Sequence, residues 1–499
     1  MNMKKIVTIF SMALAACALT TSCTKLESEM YDTINPGIFP TTEDDANALV
    51  TAAAYGPFRA AWYDGLFTSA QGGIQVVSDM TTDIGSCQWD DPVWPDMLQV
   101  NFTPHSTEIA TLYSDQINNI SKMTLTLDRI ANISMDEEVK ARLQAELHLG
   151  RGWLAYILYD MYGPIQIASS ELLNNPLSEA VAPRLTQEEM VKYIEDEINA
   201  ALPALPAKYQ IGDTGYGRFT RALGYMVLMK LYMHEKNWPK AIECGRELQK
   251  PEYGFDLMES YKDIFTLQNE GNKETIWATV CDRSENAQMW LAHVLSSPYP
   301  TTNVNIQKWG GYRVLWDFYH TFEPGDKRLE VLVGEFDGTD GFHYSEETPG
   351  TVLIDGALPI KYGEDPDATG EESSIDWIVY RYADALTLLS EALVRDGNAV
   401  TQEAVDLLNE VRDRAGLPLK NVSDFASVQE FLDFNLLERG HELWFEGCRR
   451  SDLIRYGYYI EYARKYKNSA AAQDYMNVFP LPQSVIDESK GQIAQNPGY

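Results

Sequence analysis

The fold is decided by SIDWIVYRYADALTLLSEALVRDG (374–397), VTQEAVDLLNEVRDRAGLP (400–418) and LLERGHELWFEGCRRSDLIRYG (436–457). In the first stretch, apolar residues recur every three or four positions, which is the period of one helix face. These residues are Ile378, Tyr382, Leu386, Leu389 and Leu393. We therefore predict a helix that ends at Gly397, because glycine readily adopts the left-handed conformation of a helix cap.

The second stretch predicts a helix antiparallel to the first. Thr401 can cap its start, and the Gly416–Pro418 segment ends it. Its apolar face comprises Ala404, Leu408 and Val411. A third helix is expected from Val428 to Tyr456. Two short helices cannot bury both of their faces alone, so further pairs should stack beside them.

The stretch RALGYMVLMKLYMHEKNWPKAIECGREL (221–248) is similar to a tetratricopeptide hairpin. Its small residues Ala222 and Gly224 allow two helices to approach closely, and Trp238–Pro239 can begin the second helix. We predict about four helix pairs in the chain. They are expected at 108–162, 186–250 and 377–415, with a less regular pair that uses 428–456 or an N-terminal helix starting near Glu43.

Loop-rich regions interrupt these pairs. Residues 66–106 and 251–374 contain many glycines and prolines, and the second region includes only short strand-like pieces such as TIWATV and TVLID. The predicted fold class is mainly α: tetratricopeptide-like pairs form a right-handed scaffold that carries an irregular, loop-rich subdomain with a few short strands. The expected divisions are 41–250, 251–374 and 375–499, the last ending in an extended tail.

The N-terminus predicts a targeting segment. Lys4 and Lys5 precede an apolar run that is too short to span a bilayer, and a cysteine follows at Cys17 and again at Cys23. The arrangement resembles a bacterial lipoprotein signal. Cys17 has the better cleavage box, but Cys23 is followed by the polar tether TKLESE, so we favour a signal peptide at 1–22, lipidation of Cys23 and a tether at 23–40. An ordinary secretory peptide is the alternative.

The composition excludes some partners. The formal net charge is −33, from 73 acidic and 40 basic residues, which disfavours nucleic acid. Four further cysteines are widely spaced and form no CxxC pair, which argues against a zinc ribbon but leaves one disulfide open. They are Cys87, Cys244, Cys281 and Cys448. The seven histidines show no clustering, so neither a metal nor another cofactor is expected.

The sequence contains no complete motif for catalysis among the patterns considered. His234–Glu235 lacks the second histidine of a zinc protease motif, and GDTGYG (212–217) has the wrong glycine spacing for a nucleotide site. The many carboxylates leave a glycosidase pair open by chance alone. A peptide-binding scaffold is a further alternative, because tetratricopeptide arrays commonly bind peptides.

Several motifs in order resemble the SusD/RagB family of Bacteroidetes outer-membrane lipoproteins. They are SDMTTDIG (78–85), TLYSDQINNISKMTLTLDRI (111–130), LHLGRGWLAYILYDMYGPI (147–165), LLERGHELWFEGCRRSDLIRYG (436–457), FPLPQS (479–484) and QNPGY (495–499). The resemblance implies a lipid-anchored, surface-exposed protein that binds an oligosaccharide without cleaving it. It also implies a partner, a SusC-like TonB-dependent outer-membrane transporter that receives the nutrient.

Aromatic residues in the loops are the candidate ligand contacts, because flat rings suit the apolar faces of sugars and carboxylates bind the hydroxyl rim. The resemblance directs attention to the loop after SDMTTD and to WGGY (309–312). The predicted site comprises Trp89, Trp94, Tyr299 and Trp309, with Asp79 and Asp83 as polar partners and Trp290 and Trp316 in reserve. Each tryptophan could instead be packed in the core, and Asp79 could cap a turn.

A charge cluster near the C-terminus has helical spacing and is interpreted as an ion-pair lattice that fixes the last helix to the repeats. It comprises Glu438, Arg439, Glu442, Glu446, Arg449, Asp452 and Arg455.

Overall fold

The computed structural model describes residues 39–62, 65–175, 177–350 and 352–499. The predicted signal peptide and both candidate lipidation sites, Cys17 and Cys23, lie outside the described residues. None of the described helices combines the length and apolarity needed to cross a membrane.

The described chain is mainly helical, as predicted. The helices are α1 (Glu43–Val50), α2 (Ile74–Met80), α3 (Val93–Leu98), α4 (Thr107–Ala131), α5 (Glu137–Tyr162), α6 (Ser170–Leu173), α7 (Gln187–Ala201), α8 (Arg221–His234), α9 (Trp238–Leu248), α10 (Trp290–Val294), α11 (Trp316–Tyr319), α12 (Tyr382–Gly397), α13 (Gln402–Arg414), α14 (Val428–Leu443), α15 (Arg449–Tyr456), α16 (Tyr459–Tyr466) and α17 (Gln483–Glu488).

The long helices pack in sequence order, α4 on α5, α5 on α7, α7 on α8, α8 on α9, α9 on α12 and α12 on α13. Glycine permits the close approaches. A Cβ on Gly152 of α5 would lie 2.8 Å from Ile198 of α7, and one on Gly224 of α8 would lie 2.6 Å from Leu202. The stacked helix pairs are therefore confirmed, including the role expected of Gly224.

The strands are β1 (Gly85–Cys87), β2 (Thr275–Thr279), β3 (Tyr312–Leu315), β4 (Leu332–Val333), β5 (Phe336–Asp337), β6 (His343–Tyr344), β7 (Gly356–Pro359) and β8 (Trp377–Arg381). They form one four-stranded sheet, β1-β3-β7-β4, and the pairs β2-β8 and β5-β6, all antiparallel. TIWATV is thus a strand, as predicted. The prediction of a strand at TVLID begins at Thr351, which lies outside the described residues; it was wrong for residues 352–355, which are bends, and β7 begins at Gly356.

The predicted helix start near Ile378 was also wrong. Trp377–Arg381 is strand β8, because this segment pairs with β2 from Thr275 to Thr279. Arg381 keeps an extended backbone, and the helix begins at Tyr382. The helix ends as predicted, but the left-handed residue is Asn398, with φ 46°, and not Gly397.

The predicted helix from 428 to 456 is two helices, α14 and α15. Between them, Phe445 and Gly447 have φ values of 56° and 78°, which no continuous helix accommodates. A Cβ on Gly447 would lie 2.9 Å from the Gln75 side chain. The break therefore lets the chain pass close against α2.

The predicted ion-pair lattice is confirmed, and it is buried. Arg439 contacts Asp384 at 2.9 Å and Asp452 at 2.8 Å, and Arg455 contacts Glu391 at 2.7 Å. Asp384 and Glu391 belong to α12, so these contacts fix α14 and α15 to the helix pairs.

The four remaining cysteines within the described residues are free and buried, which settles the open disulfide question. The C-terminal tail lies on the end of α5, as expected for an extended segment, although it includes the short helix α17. The Phe479 N–H donates to the Met161 carbonyl at 2.7 Å, and Asn496 Nδ2 donates to the Tyr162 carbonyl at 2.8 Å.

Candidate functional site

Two of the predicted tryptophans meet at one end of the β1–β3 pair. Cys87 lies opposite Tyr312 in this antiparallel pair, so the chain leaving β1 and the chain entering β3 run side by side. The Gln88 N–H donates to the Gly311 carbonyl at 2.9 Å, which extends the ladder. Trp89 and Trp309 are therefore neighbours, and Trp89 Nε1 donates to the Trp309 carbonyl at 3.4 Å.

The two glycines of WGGY are required for this approach. Gly310 has a φ of 69°, which L side chains rarely adopt. A Cβ on Gly311 would lie 2.3 Å from the Trp89 ring, inside contact distance. The backbone is also fixed, because the Trp309 N–H donates to the Ala292 carbonyl at 2.8 Å.

A third tryptophan, Trp62, completes what we call the tryptophan group: Trp62, Trp89 and Trp309. The Trp62 and Trp309 rings meet edge to face, with centroids 5.1 Å apart. All three side chains are partly exposed. The group thus presents rigid aromatic surface to solvent.

His293 lies beneath the tryptophan group, with its ring centroid 5.0 Å from Trp309 and 5.7 Å from both Trp62 and Trp89. Burial lowers the pKa of His293 to about 4, so the imidazole is neutral at physiological pH. Its Nδ1 lies 2.8 Å from the Met289 carbonyl, which assigns the proton to Nδ1. This leaves Nε2 as an acceptor.

Sequence reasoning missed Trp62 and His293. Trp62 lies in AAWYDG (60–65), where an aromatic residue close to a glycine in the sequence was the available signal. His293 carried no signal, because its place beneath the rings depends on the contact of α10 with β3.

Tyr299, another predicted residue, lies outside the tryptophan group. It lines a separate cavity of about 290 Å³ with Leu291 and Ile360. One hydrogen bond connects Tyr299 to the segment that carries Trp309, since Lys308 Nζ donates to the Tyr299 carbonyl at 2.6 Å. The reserve residue Trp316 is also partly exposed. It packs on the cluster of Phe336, Leu353 and Leu358, and its Nε1 donates to the Leu353 carbonyl at 3.1 Å.

Trp94 and Trp290 are each 1% exposed, so burial removes both from a ligand-accessible surface, and we correct these two predictions. The Trp94 ring packs 5.8 Å from Trp89 and 5.4 Å from Tyr312, which supports the tryptophan group from below. Trp290 Nε1 donates to the Pro359 carbonyl at 2.8 Å. Both tryptophans are therefore packed in the core, which was the alternative stated for each of them.

The two predicted aspartates are corrected for the same reason, since Asp79 is 0% and Asp83 5% exposed. Asp83 accepts two hydrogen bonds from the Arg449 guanidinium, at 2.8 and 2.7 Å. Asp79 accepts the backbone N–H groups of Gly447 and Arg449, both at 3.3 Å, and burial raises the pKa of Asp79 to about 7. Both carboxylates join α2 and the turn after it to the start of α15.

The described part of the chain contains no group of three His, Cys, Asp or Glu side chains placed to hold a metal ion. What it offers a ligand is an aromatic surface. The fold and this surface define a helical scaffold that presents a loop-borne aromatic site.

Comparison with known proteins identifies the family. The model described as "SusD family" matches residues 348–499, and one described as "Starch-binding associating with outer membrane" matches residues 69–233. The chain belongs to the SusD family. The "Starch-binding protein SusD" of Bacteroides thetaiotaomicron is 22% identical over 503 residues, covering 85% of this chain and 84% of that protein. A "SusD-like protein" of Bacteroides ovatus is 23% identical over 450 residues, covering 84% and 77%.

Solved structures share the fold. A SusD homolog from B. thetaiotaomicron superposes with a TM-score of 0.77 at 19% identity, covering 92% of this chain and 98% of that one. Surface glycan-binding protein A from the same species, in complex with laminarihexaose, has a TM-score of 0.71 at 20% identity, covering 91% and 100%. A laminarin-binding SusD-like protein has a TM-score of 0.75 at 22% identity, covering 92% and 100%.

Proposed function

We propose that this protein is a surface-exposed outer-membrane lipoprotein that binds a glycan through the tryptophan group and delivers it, uncleaved, to a SusC-like TonB-dependent transporter. The observation that carries the proposal is the meeting of Trp62, Trp89 and Trp309 as partly exposed rings on a fixed backbone. Tyr299, which lines the separate cavity of about 290 Å³, stays a predicted contact.

The chemistry of the surface suits a sugar. Pyranose rings present C–H faces that pack on flat aromatic side chains, while their hydroxyls need hydrogen-bond partners. Asp90 and Asp91, directly after Trp89, are exposed, and their carboxylates can accept hydrogen bonds from sugar hydroxyls. Because the Trp89 indole is hydrogen-bonded and the Trp309 backbone is fixed, little conformational entropy of these two residues is lost on binding.

The names of similar proteins support a glycan as the ligand. One relative is named for starch, one structural neighbour for laminarin, and another was solved with laminarihexaose. The description of the second family model, which refers to association with the outer membrane, supports the location. The transporter partner and the lipid anchor rest on the resemblance and on the N-terminal sequence.

The test is retention of the purified protein by a panel of polysaccharides in native affinity gels, with a parallel assay for new reducing ends. We expect retardation by at least one polysaccharide and no release of reducing ends. Release at enzymatic rates would identify a hydrolase instead. Failure to bind any polysaccharide in the panel would contradict the proposed function.

A further inference from the structure

A cavity of about 430 Å³ lies beside the segment that carries Trp62. We call it the Tyr55 cavity, and it is lined by Tyr55, Arg59, Tyr216, Arg218, Trp277 and Asn286 among others. We infer that it is a second saccharide subsite, which binds a further neutral sugar ring of the same oligosaccharide. This inference rests on the proposed function and adds a location and a ligand class to it.

The aromatic wall of the Tyr55 cavity is fixed in place. The Tyr55 hydroxyl accepts the Phe219 N–H at 3.0 Å, and the Arg218 guanidinium carbon lies 5.4 Å from the Tyr55 ring centroid. The Tyr216 hydroxyl donates to Asp376 at 2.7 Å. Tyr55 and Tyr216 are partly exposed and line the cavity.

The polar wall supplies groups that bind hydroxyls. Arg218 is held by two hydrogen bonds to Glu146, at 2.8 and 2.7 Å, which orient the guanidinium at the cavity. Thr51 and Glu285 are exposed at the rim of the cavity. The Glu285 carboxylate can accept hydrogen bonds from sugar hydroxyls, and the Thr51 hydroxyl can donate or accept them.

The charges at the Tyr55 cavity favour a neutral ring. Its two guanidinium groups already have partners: Arg218 is paired with Glu146, and Arg59 donates to the Glu285 main-chain carbonyl and lies near the Asp282 carboxylate. A uronate or sulfate would add a charge without a matching cation, at a desolvation cost. A neutral hexose requires no such compensation.

One short segment joins the cavity to the tryptophan group. Asn286 Oδ1 accepts the N–H groups of Ala60 and Ala61 at 2.9 and 3.2 Å, while Nδ2 donates to the Val280 carbonyl at 2.7 Å. Only three residue steps separate Arg59 at the cavity from Trp62, at most about 11 Å of chain. An oligosaccharide lying across this segment can therefore contact both sites.

Filling the cavity tests the inference. Val280 is 43% exposed and lines the cavity, so Val280→Trp places an indole there at a surface position. The probes are maltohexaose and laminarihexaose, their disaccharides, and hexasaccharides of any other polysaccharide retained in the panel. We expect about tenfold weaker binding of the retained hexasaccharide and about twofold or smaller change for its disaccharide, because the short ligand occupies only the tryptophan group.

Controls separate the two proposals. Leu419→Trp adds an indole at another exposed position, 53% exposed, and should change neither affinity. Glu285→Ala removes a rim carboxylate without adding bulk, and should weaken hexasaccharide binding about threefold. This variant keeps the test valid if Val280→Trp fails to fold. Wild-type hexasaccharide affinity in both cavity variants, with loss of binding in Trp309→Ala, would overturn the second subsite and leave the proposed function standing. Absence of binding by the unmodified protein would remove both.

Discussion

Trp309 owes its orientation to the two residues that follow it. Gly310 supplies a backbone angle that other residues adopt only with strain, and Gly311 leaves room for the Trp89 ring. The result is a half-buried ring whose edge contacts Trp62 at a centroid distance of 5.1 Å. At the residue scale, binding therefore depends on rings that are supported on one side and open on the other.

Replacing Trp309 with alanine should weaken glycan binding by about 1–3 kcal/mol, the scale of a lost aromatic platform. The measurement is affinity-gel retardation or titration calorimetry, with circular dichroism to verify folding. Trp238→Ala is the matched control, because Trp238 is partly buried on α9 under Arg395, away from the proposed site. Equal losses in both variants would mean that the effect is not local to the tryptophan group.

Asp79 illustrates the cost of burying a carboxyl group. Its pKa is raised by burial to about 7 in the folded protein, against about 3.9 for an unperturbed aspartate. The folded state therefore holds the proton more tightly than the unfolded state. The stability associated with Asp79 is present below about pH 4 and is lost as the pH rises through 7.

The variant Asp79→Asn should remove this pH dependence. Between pH 4.5 and pH 8 we expect the unmodified protein to lose stability relative to Asp79→Asn. The free energy of unfolding of the variant should therefore rise relative to that of the unmodified protein. Urea unfolding of both proteins at each pH measures it, and carboxylates common to the two cancel in the comparison. Parallel pH profiles would show that Asp79 stays ionised in the fold.

At the scale of elements, the buried ion pairs determine how α14 and α15 sit on the helix pairs. Arg439 lies between Asp384 of α12 and Asp452 of α15, and its Nη1 donates to Thr387 Oγ1 at 2.7 Å. Arg439 and both carboxylates are essentially inaccessible to water. One guanidinium thus connects three helices.

Arg439→Met should destabilise the protein by about 3 kcal/mol, because removal of the cation leaves two buried carboxylates with one cation each, Lys230 beside Asp384 and Arg455 beside Asp452. The control is Lys192→Met, which breaks an exposed pair whose side chains are 70% and 64% accessible and should leave the stability almost unchanged. Denaturant unfolding compares the two. Similar small effects would mean that water or other cations compensate for the lost guanidinium.

At the scale of the molecule, the helix pairs and the loop-rich region have different structural roles. The helices bury most of the core, while β1, β3 and α10 bring together loops that are distant in sequence. If the chain is tethered at its N-terminus as the sequence predicts, this aromatic surface is held outside the membrane on a stable support.

Cys23→Ala should release the protein from membranes, because a lipidated cysteine is the predicted anchor. Membrane fractionation and metabolic labelling with a fatty acid provide the measurement. Cys17→Ala is the matched control and should remain bound and lipidated. The reverse pattern would assign the anchor to Cys17.

Local patterns in the sequence predicted the long helices, and the family resemblance indicated two members of the tryptophan group. The repeat of apolar residues identified α4, α5, α7, α8 and α9 because each helix buries one continuous face. Trp89 and Trp309 were proposed because the family resemblance directed attention to the loops that carry them. The same reasoning failed at β8, where Trp377–Arg381 has apolar residues that fit a helix but pairs with β2 instead.

The sequence by itself determined the helical repeats, the family resemblance and the charge cluster, since each depends on residues close together in the chain. Only the tertiary structure decided which aromatic rings are exposed. Trp94 follows Trp89 by only five residues, yet it is buried in α3 beneath Trp89, and Trp62 joins Trp309 from far along the chain. Exposure depends on what packs against a ring from other elements, and that information is absent from local sequence.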